Sequence, residues 1–311
     1  MGLLPRAIVD SHHHFWDLGR GRYPWLQEAY DARNFILGDY EPLRSDFGPK
    51  HFRQACGELP VVASVHVEAE RERSEALAET AWLHTLRDGQ ALPDAVVAWA
   101  DLTAADADER LAEQAAFPLV RGIRCKPRTS QGPEQSLRDA SGSLQDPRWL
   151  DGLALLQRHG LSWDLRVPFW HLEEAAWLVR QFPRLPVVLE HAGLPWDRSE
   201  RGLHIWRRGM AALAACDNVH VKLSEFGLRH AAWDIAGNVA IVRDTVAAFG
   251  WQRCMFGSNF PVASLRIGYP RLVQAMSAAL LCVDPDTRSA IWHDNALRFY
   301  RIESPSSGDR K

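Results

Sequence analysis

The sequence has few cysteines, no long apolar run and little net charge of either sign. Its five cysteines are odd in number, lie far apart and form no Cys-x-x-Cys pair, which argues against a disulfide framework and a zinc knuckle. This pattern predicts a reduced, cytoplasmic location. No stretch approaches the roughly 20 uninterrupted apolar residues that a membrane-spanning helix needs. Residues 1–6 also lack the apolar core of a signal peptide, so we expect no association with a membrane.

The charge balance and the missing loop motifs narrow the expected partners. A net charge of −3, from 36 basic and 39 acidic side chains, gives no electrostatic reason to expect nucleic acid as a partner. No glycine-rich phosphate loop follows a predicted strand, so a nucleotide cofactor is not expected. The 311 residues, 46% of them hydrophobic, are enough for a large core. We therefore expect a small-molecule substrate, and the sequence leaves open whether the chain forms a homo-oligomer.

Short β-branched runs alternate with longer amphipathic segments along the chain. A first strand ends near His14, and seven more are predicted at 61–69, 95–102, 119–126, 161–167, 186–191, 219–224 and 254–260. Each is followed by a helical pattern, and the last helix is expected at 285–300. Right-handed crossovers place every helix outside a parallel barrel, so closure is the simplest arrangement, with an open doubly wound sheet as the alternative.

We therefore predict one α/β domain over residues 1–311, a TIM (β/α)8 barrel. A long insertion at 17–60 follows the first strand, and a flexible tail is expected at 301–311. The insertion and the loop at 127–145 are too long for simple connections. Because both follow strand ends, we expect them to cover the mouth of the barrel.

Polar side chains gather where the predicted strands end, and barrel enzymes build their active sites from these ends. In the first strand, alternation places Asp10, His12 and His14 on one face. The inward-facing polar residues of the other strand ends are predicted to be His66, Glu68, Arg124, Lys126, Asp164, Arg166, His191, Lys222, Ser224 and Asn259. The same alternation turns Glu190 toward the helices.

Two imidazoles at positions i and i+2 of a strand point at one place. Such a pair suits a metal ion or a polarised substrate oxygen, because each neutral ring offers one lone pair and one donor. We expect ring nitrogens of His12, His14 and His191 to converge. The structural alternative is a chance group of histidines at a surface strand end.

Five motifs, spaced along residues 8–300, form a more specific set. They are Val-Asp-Ser-His-His-His-Phe-Trp-Asp at 9–17, Arg-Gly-Ile-Arg at 121–124, Glu-His-Ala-Gly-Leu-Pro at 190–195, Val-Lys-Leu-Ser at 221–224 and Met-Phe-Gly-Ser-Asn-Phe-Pro-Val at 255–262. The set resembles the amidohydrolase superfamily, and within it the lactonase-like branch with sugar-acid lactonases and a pyrone-dicarboxylate hydrolase. The resemblance implies a TIM barrel, a hydrolase, and site positions at His12, His14, His191 and Asn259.

Asn259 departs from the family pattern. Family hydrolases usually carry an aspartate at this position, which takes the proton from the attacking water. An amide has no basic lone pair at neutral pH, so Asn259 cannot be a general base. Among the inward carboxylates we therefore predict Glu68 as the base, with Asp164 as the second choice.

The remaining predicted roles follow from ester hydrolysis. Developing negative charge on the carbonyl oxygen needs donors, for which His12, His14 and His191 are the candidates. Cationic side chains in the predicted pocket favour an anionic substrate. The predicted substrate-binding residues are Arg124, Lys126, Asp164, Arg166, Lys222 and Ser224. Four tryptophans that follow strand ends, at positions 16, 25, 170 and 196, are candidates for an apolar wall around a ligand.

We predict a hydrolase that acts on a lactone or related cyclic ester of a carboxylated or polyol, sugar-acid-like molecule. Two cofactor states are expected: either no cofactor is required, or one divalent metal such as zinc binds to His12, His14 and His191. Against the metal, three neutral imidazoles alone would leave its positive charge uncompensated. Two alternatives remain: a metal-dependent decarboxylase of the same superfamily, and a non-catalytic barrel that binds a small acid.

Overall fold

The computed structural model of the protein describes residues 4–138 and 140–303. It contains one sheet of eight parallel strands that pair in the order of the sequence. The strands are β1 Ile8–His13, β2 Val61–Val67, β3 Ala95–Ala98, β4 Val120–Ile123, β5 Ser162–Leu165, β6 Val187–Leu189, β7 Val219–Leu223 and β8 Cys254–Phe256. A parallel bridge between His13 and Phe260 joins β1 to the segment after β8. The predicted TIM barrel is confirmed.

Helices separate the strands and surround the barrel. They are α1 Pro24–Gln27, α2 Pro49–Cys56, α3 Ala76–Gln90, α4 Ala107–Ala115, α5 Arg148–Arg158, α6 Leu172–Val179, α7 Glu200–Ala214, α8 Ile235–Phe249, α9 Tyr269–Ala279, α10 Pro285–Ser289 and α11 Asn295–Tyr300. A π-helical turn, Ala290–Asp294, joins α10 to α11 and makes the predicted helix at 285–300 continuous. No helix in the described part of the chain is long and apolar enough to cross a membrane.

The strands β2 to β8 all end before their predicted limits. The prediction for β3 extends to residue 102 and that for β8 to residue 260, whereas the strands end at Ala98 and Phe256. The apolar residues that pair in the ladder are followed by polar residues whose backbone leaves the sheet. Those residues form the rim of the barrel, where the functional side chains lie.

Two apolar layers hold the barrel. The larger one lies between strands and helices and includes Trp163, Val187 and Leu213, all completely buried. The second fills the barrel interior, where Val9, Val65 and Met255 pack against one another and against α11. The helix α11 contacts β1 and β8, and its Phe299 packs against His220 near the start of β7, so this helix lies at the end of the barrel opposite the strand termini that carry the polar residues.

The insertion at 17–60 contains α1, a 3-10 turn at Glu41–Leu43 and α2. Its aromatic side chains pack together, with Trp25 stacked on Phe35 at a ring-centroid distance of 5.6 Å. The second long loop, 127–145, contacts the segment after β5, because the backbone N–H of Ser130 donates to the ring of His171 at 3.0 Å. Of the predicted tail, residues 304–311 lie outside the described residues.

Candidate active site

A cavity of about 330 Å³ opens at the ends of the strands. Six of the predicted site residues line it: His14, Arg124, Lys126, Arg166, His191 and Asn259. The opposite wall comes mainly from the insertion, with Trp25, Asn34, Phe35 and Ile36, together with Trp196. The insertion therefore covers the barrel mouth as predicted, and two of the four candidate tryptophans, Trp25 and Trp196, contribute to the apolar wall.

The structure brings His12, His14 and His191 together. The Nε2 atoms of His12 and His14 are 3.3 Å apart, and the ring centroids of His12 and His191 are separated by 4.5 Å. Burial lowers the pKa of all three histidines, and that of His14 falls to about 3. The three rings are therefore neutral at physiological pH, and each presents one lone pair and one N–H group.

Hydrogen bonds assign the ring nitrogens of His14. Its Nδ1 is 2.7 Å from the carbonyl oxygen of Val67, which can only accept, so Nδ1 carries the proton and Nε2 carries the lone pair. That Nε2 is 3.1 Å from Oδ1 of Asn259. The amide is oriented by Glu225, whose Oε2 accepts from Asn259 Nδ2 at 2.5 Å. His14 Nε2 and Asn259 Oδ1 thus lie side by side as acceptors at the cavity wall, with Nε2 of His12 3.3 Å from His14 Nε2.

Three of these side chains are aimed into the site by unusual backbone geometry. His191, Glu225 and Asn259 follow β6, β7 and β8, and each has a positive φ, of 56°, 45° and 56° respectively. The left-handed conformation costs energy for residues other than glycine and is common at functional sites. It breaks the alternation of the preceding strand, so that consecutive side chains can face the same way.

The prediction that Glu190 faces the helices is wrong, because alternation from Val188, which lies in the barrel interior, turns Glu190 inward, and it is His191 that departs from the alternation. Glu190 is completely buried inside the barrel, with Oε1 at 3.5 Å from Nδ1 of His12 and Oε2 at 3.4 Å from the guanidinium of Arg124. The left-handed turn at the next residue allows His191 to enter the same space. Both side chains therefore belong to the site.

The inward position predicted for His66 is also wrong. Its ring lies on the helix side of β2, where it accepts from the backbone N–H of Phe15 at 3.1 Å and approaches Glu79 of α3 to 3.8 Å. The neighbouring valines of β2, Val65 and Val67, occupy the barrel interior instead. The phase of alternation in this strand is thus opposite to the predicted one.

The two predicted bases do not line the cavity. Glu68 accepts from the guanidinium groups of Arg124 and Arg73 at 2.7 and 2.8 Å. Asp164 lies deeper in the barrel, where its Oδ2 accepts from Lys222 at 2.6 Å and from the hydroxyl of Tyr300 at 2.7 Å. Both carboxylates are buried and engaged in ion pairs.

The predicted substrate-binding residues separate into two groups. Lys222 lies in the interior beneath the histidines, with Nζ 3.3 Å from Nδ1 of His12. Ser224 is hydrogen-bonded to Nδ1 of His191 at 2.8 Å and orients that ring. Arg124, Lys126 and Arg166 reach the cavity, and Lys126 is paired there with Glu70.

Arg166 differs from the other two cations of the cavity. Its guanidinium makes no hydrogen bond or ion pair with any residue that the structure describes. Arg124, in contrast, is held by Glu68 and Glu190, and Lys126 by Glu70. The arrangement leaves Arg166 available for an electronegative group of a ligand.

His12, Glu190 and His191 form a group that could hold a metal ion, since one ligand atom from each lies within 4.8 Å of the others. Glu190 replaces His14 in the predicted set and supplies the negative charge that three imidazoles lack. Its Oε1 is buried without a hydrogen-bond partner among the described residues. Glu190 and Glu225, which sequence reasoning missed, directly adjoin the predicted positions His191 and Ser224, and Glu70, also missed, lies two residues after Glu68.

Comparisons with known proteins identify the family of the chain. The family model described as Amidohydrolase matches residues 9–302. The chain belongs to the amidohydrolase family. An L-fucono-1,5-lactonase of Burkholderia ambifaria is 30% identical over 315 residues, which cover 97% of this chain and 98% of that protein. An uncharacterized protein of Sinorhizobium fredii is 33% identical over 296 residues, covering 95% of this chain and 99% of that protein.

A solved amidohydrolase structure shares the whole architecture. The crystal structure of an amidohydrolase from Burkholderia multivorans with bound zinc superposes with a TM-score of 0.77 and 28% sequence identity, covering 96% of this chain and all of that one. These relatives cover 95–97% of this chain, and the insertion over the barrel mouth falls within the region that the family model matches.

Proposed function

We propose that the protein hydrolyses a lactone, a cyclic ester of a sugar-acid-like molecule that carries hydroxyl or carboxylate groups. The lactonase relative supports the reaction class. The observation that carries the proposal is the pair of acceptors, His14 Nε2 and Asn259 Oδ1, at the wall of a cationic cavity. A water molecule has two protons to donate to such a pair, and its lone pairs then face the cavity.

In the proposed reaction, this water attacks the lactone carbonyl carbon while His14 Nε2 takes one of its protons. Burial and then the charge of Arg124 lower the pKa of His14, so that the lone pair is free at neutral pH. The negative charge that develops on the carbonyl oxygen raises the proton affinity of the ring as the proton arrives. Neither Glu68 nor Asp164 lines the cavity, which favours His14 as the base.

The second half of the reaction opens the ring. The tetrahedral intermediate re-forms its carbonyl and breaks the bond to the ring oxygen, and the His14 imidazolium returns the proton to that oxygen. The product is a hydroxy acid. Arg166 and Lys126 lie where they can stabilise the intermediate and the product carboxylate, and preorganised donors of this kind are worth about 3 kcal/mol each.

The shape of the cavity supports the proposed substrate class. Trp25, Phe35 and Trp196 provide an apolar wall opposite the cations, which suits the carbon face of a sugar-like ring. A cavity of about 330 Å³ accommodates a single ring of this size.

The residues also fit a divalent metal. His12, Glu190 and His191 would hold it, because two imidazoles and a carboxylate with an unpartnered buried oxygen match the ligands that zinc prefers. When bound, the metal would polarise the substrate carbonyl. The ammonium of Lys222 and the guanidinium of Arg124 lie beside the group and oppose a further positive charge.

The reaction is tested with purified protein and a panel of aldono-1,5-lactones, L-fucono-1,5-lactone and 2-pyrone-4,6-dicarboxylate, in which acid release is measured with a pH indicator. We expect turnover of at least one lactone, and its loss in His14→Asn. Binding of the corresponding acids without turnover of any lactone would contradict the proposal and favour a binding protein. Release of carbon dioxide from aromatic acids would favour the decarboxylase.

Metal binding is tested by elemental analysis before and after chelation. We expect Glu190→Gln to lower zinc affinity by about tenfold or more, whereas Glu79→Gln, a buried change outside the cavity, should leave it unchanged. Equal zinc content in the Glu190→Gln variant and the parent protein would exclude this group as the metal site. The cytoplasmic location expected from the free cysteines and the possibility of a homo-oligomer stay predictions.

A further inference from the structure

Glu225 is a buried carboxylate with one side-chain partner in the site. Only 3% of its surface is exposed, and it follows directly after Ser224 at the end of β7. Its Oε2 accepts from Asn259 Nδ2 at 2.5 Å, and its Oε1 accepts from the backbone N–H of Gly227 at 3.2 Å. Glutamate is disfavoured at a φ of 45°, so a smaller or more permissive residue would suit the backbone better.

The contact with Asn259 has a geometric consequence. An amide side chain can present either its oxygen or its nitrogen to a neighbour, and rotation by 180° exchanges the two. A carboxylate can only accept, so Glu225 holds Nδ2 on its own side. Oδ1 of Asn259 is therefore fixed toward His14 and the cavity.

Building on the proposed lactone hydrolysis, we propose that Glu225 is a positioning residue for catalysis, which fixes the amide of Asn259 so that its oxygen accepts a hydrogen bond from the attacking water. Glu225 thereby supplies, from the end of β7, the carboxylate that this chain lacks at the end of β8. Asn259 makes the contact with the water, and Glu225 acts through Asn259.

Protonation of Glu225 would reverse this arrangement. A protonated carboxyl donates to Oδ1 of Asn259, and the rotated amide then points Nδ2 at the lone pair of His14, where the water should bind. Burial raises the pKa of Glu225 to about 7. The hydrogen bonds from Asn259 and Gly227 and the charges of Arg266 and Arg166 lower this pKa but do not outweigh burial. Activity should consequently fall as the pH decreases through about 7.

An exchange of the two groups tests the proposal. Glu225→Gln removes the charge that fixes the amide, and we expect kcat to fall about 10- to 100-fold, as for loss of a partner that orients a site residue, with KM little changed. Asn259→Asp places two carboxylates in contact, and their repulsion separates them once the shared proton is lost, so kcat should fall at high pH. The double variant Asn259→Asp/Glu225→Gln restores one donor and one acceptor across the same contact, and should recover most of kcat.

Glu79→Gln is the matched control. Glu79 is also buried, and its Oε1 accepts from a backbone N–H, that of Ala69, but it lies outside the cavity. We expect this variant to keep the parent kcat and the activity loss near pH 7. A purely structural role for Glu225 would lower stability in Glu225→Gln without removing the pH dependence and without rescue in the double variant.

A second measurement does not depend on turnover. The side-chain amide signals of Asn259 in protein labelled with ¹⁵N-asparagine are assigned by their absence in Asn259→Ser. We expect them to shift with pH about a midpoint near 7 in the parent protein and to lose that transition in Glu225→Gln. If no lactone is hydrolysed but this titration is present, the proposed function fails and the positioning contact stands. An amide that does not titrate, or a double variant no more active than Asn259→Asp, would overturn the proposal.

Discussion

Glu68 is held between two guanidinium groups at the edge of the site. Burial raises the pKa of its carboxyl, but the charges of Arg124 and Arg73 outweigh burial and keep the pKa well below its usual range. Both of its oxygens accept from these guanidinium groups, and the side chain does not line the cavity. Its position favours a role in holding Arg124 over the predicted role as the base.

We expect Glu68→Gln to act mainly on stability. Removing one partner of a buried ion pair leaves Arg124 and Arg73 incompletely compensated, which costs about 3–5 kcal/mol. The pKa of Glu68 is lower in the folded than in the unfolded protein. The carboxylate therefore contributes fully to the free energy of unfolding above the ordinary pKa of 4.5, and this contribution is lost as the pH falls toward the folded-state pKa. Urea unfolding at pH 4 and pH 7 should therefore show a smaller difference between variant and parent at pH 4.

The kinetic result separates the two roles. If Glu68 is the base, the variant loses nearly all turnover even where it is fully folded. If Glu68 only holds Arg124, the folded variant keeps a substantial rate with a raised KM. Glu79→Gln again provides a buried comparison away from the cavity.

Alternation along the strands predicted only part of the site, since it failed for His66 within β2. His12 and His14 lie together as expected, but a register shift in β1 between Asp10 and His13 leaves Asp10 off their face, in contact with Tyr269 of α9. Arg124 and Asn259 line the cavity from beyond the ends of β4 and β8. Alternation cannot be extended past a strand end, because the next φ angle decides the direction of the side chain. His191 enters the site through a left-handed turn, so taking His191 as the inward residue of the alternation wrongly turned Glu190 outward.

At the scale of elements, the insertion at 17–60 matters most for substrate binding. It has no regular periodicity, so its length and its position after β1 predicted a cover for the mouth but not the residues that contact a ligand. In the structure Trp25 is anchored by a hydrogen bond from its indole N–H to the carbonyl oxygen of Ala69 at 3.0 Å. The ring is thus fixed at the cavity wall before any substrate binds.

We expect Trp25→Ala to raise KM with little change in kcat. The ring belongs to the part of the cavity wall that the insertion supplies, so its contact stabilises bound substrate and transition state alike. Loss of a large apolar contact of this kind costs about 1.5–3 kcal/mol, equivalent to roughly a 10- to 100-fold increase in KM. Steady-state kinetics on the best lactone of the panel provides the measurement.

Trp177→Ala is the control for this prediction. Trp177 is on α6, 56% exposed and outside the residues that line the cavity, so the same substitution should leave KM unchanged. A fall in kcat with constant KM in Trp25→Ala would show that the insertion acts on the chemical step instead of binding.

At the scale of the whole molecule, the eight repeats of strand and helix were sufficient to predict the barrel, because the handedness of crossovers leaves few closed arrangements. The contents of the barrel were not predictable in the same way. Asp164, Lys222 and Tyr300 are separated by many residues in the sequence, and only closure of the barrel brings them into contact.

This buried contact links both ends of the barrel. Tyr300, on α11, enters the interior from one end and donates to Asp164, which also accepts from Lys222. Lys222 in turn reaches His12 beneath the cavity. The last helix is therefore connected to the active site through two buried charges, and its packing supports the position of His12.

Tyr300→Phe isolates this connection, because the ring is retained and only the hydroxyl is lost. A hydrogen bond to a buried charged group contributes about 1.5–3 kcal/mol, so we expect the free energy of unfolding to fall by about that amount in urea titrations. KM should stay unchanged, since no group of the cavity is altered. Tyr30→Phe removes a hydroxyl from an exposed contact with Asp39 and should change the unfolding free energy far less, because water replaces that hydrogen bond. Equal losses in the two variants would mean that the contact between Tyr300 and Asp164 does not stabilise the barrel.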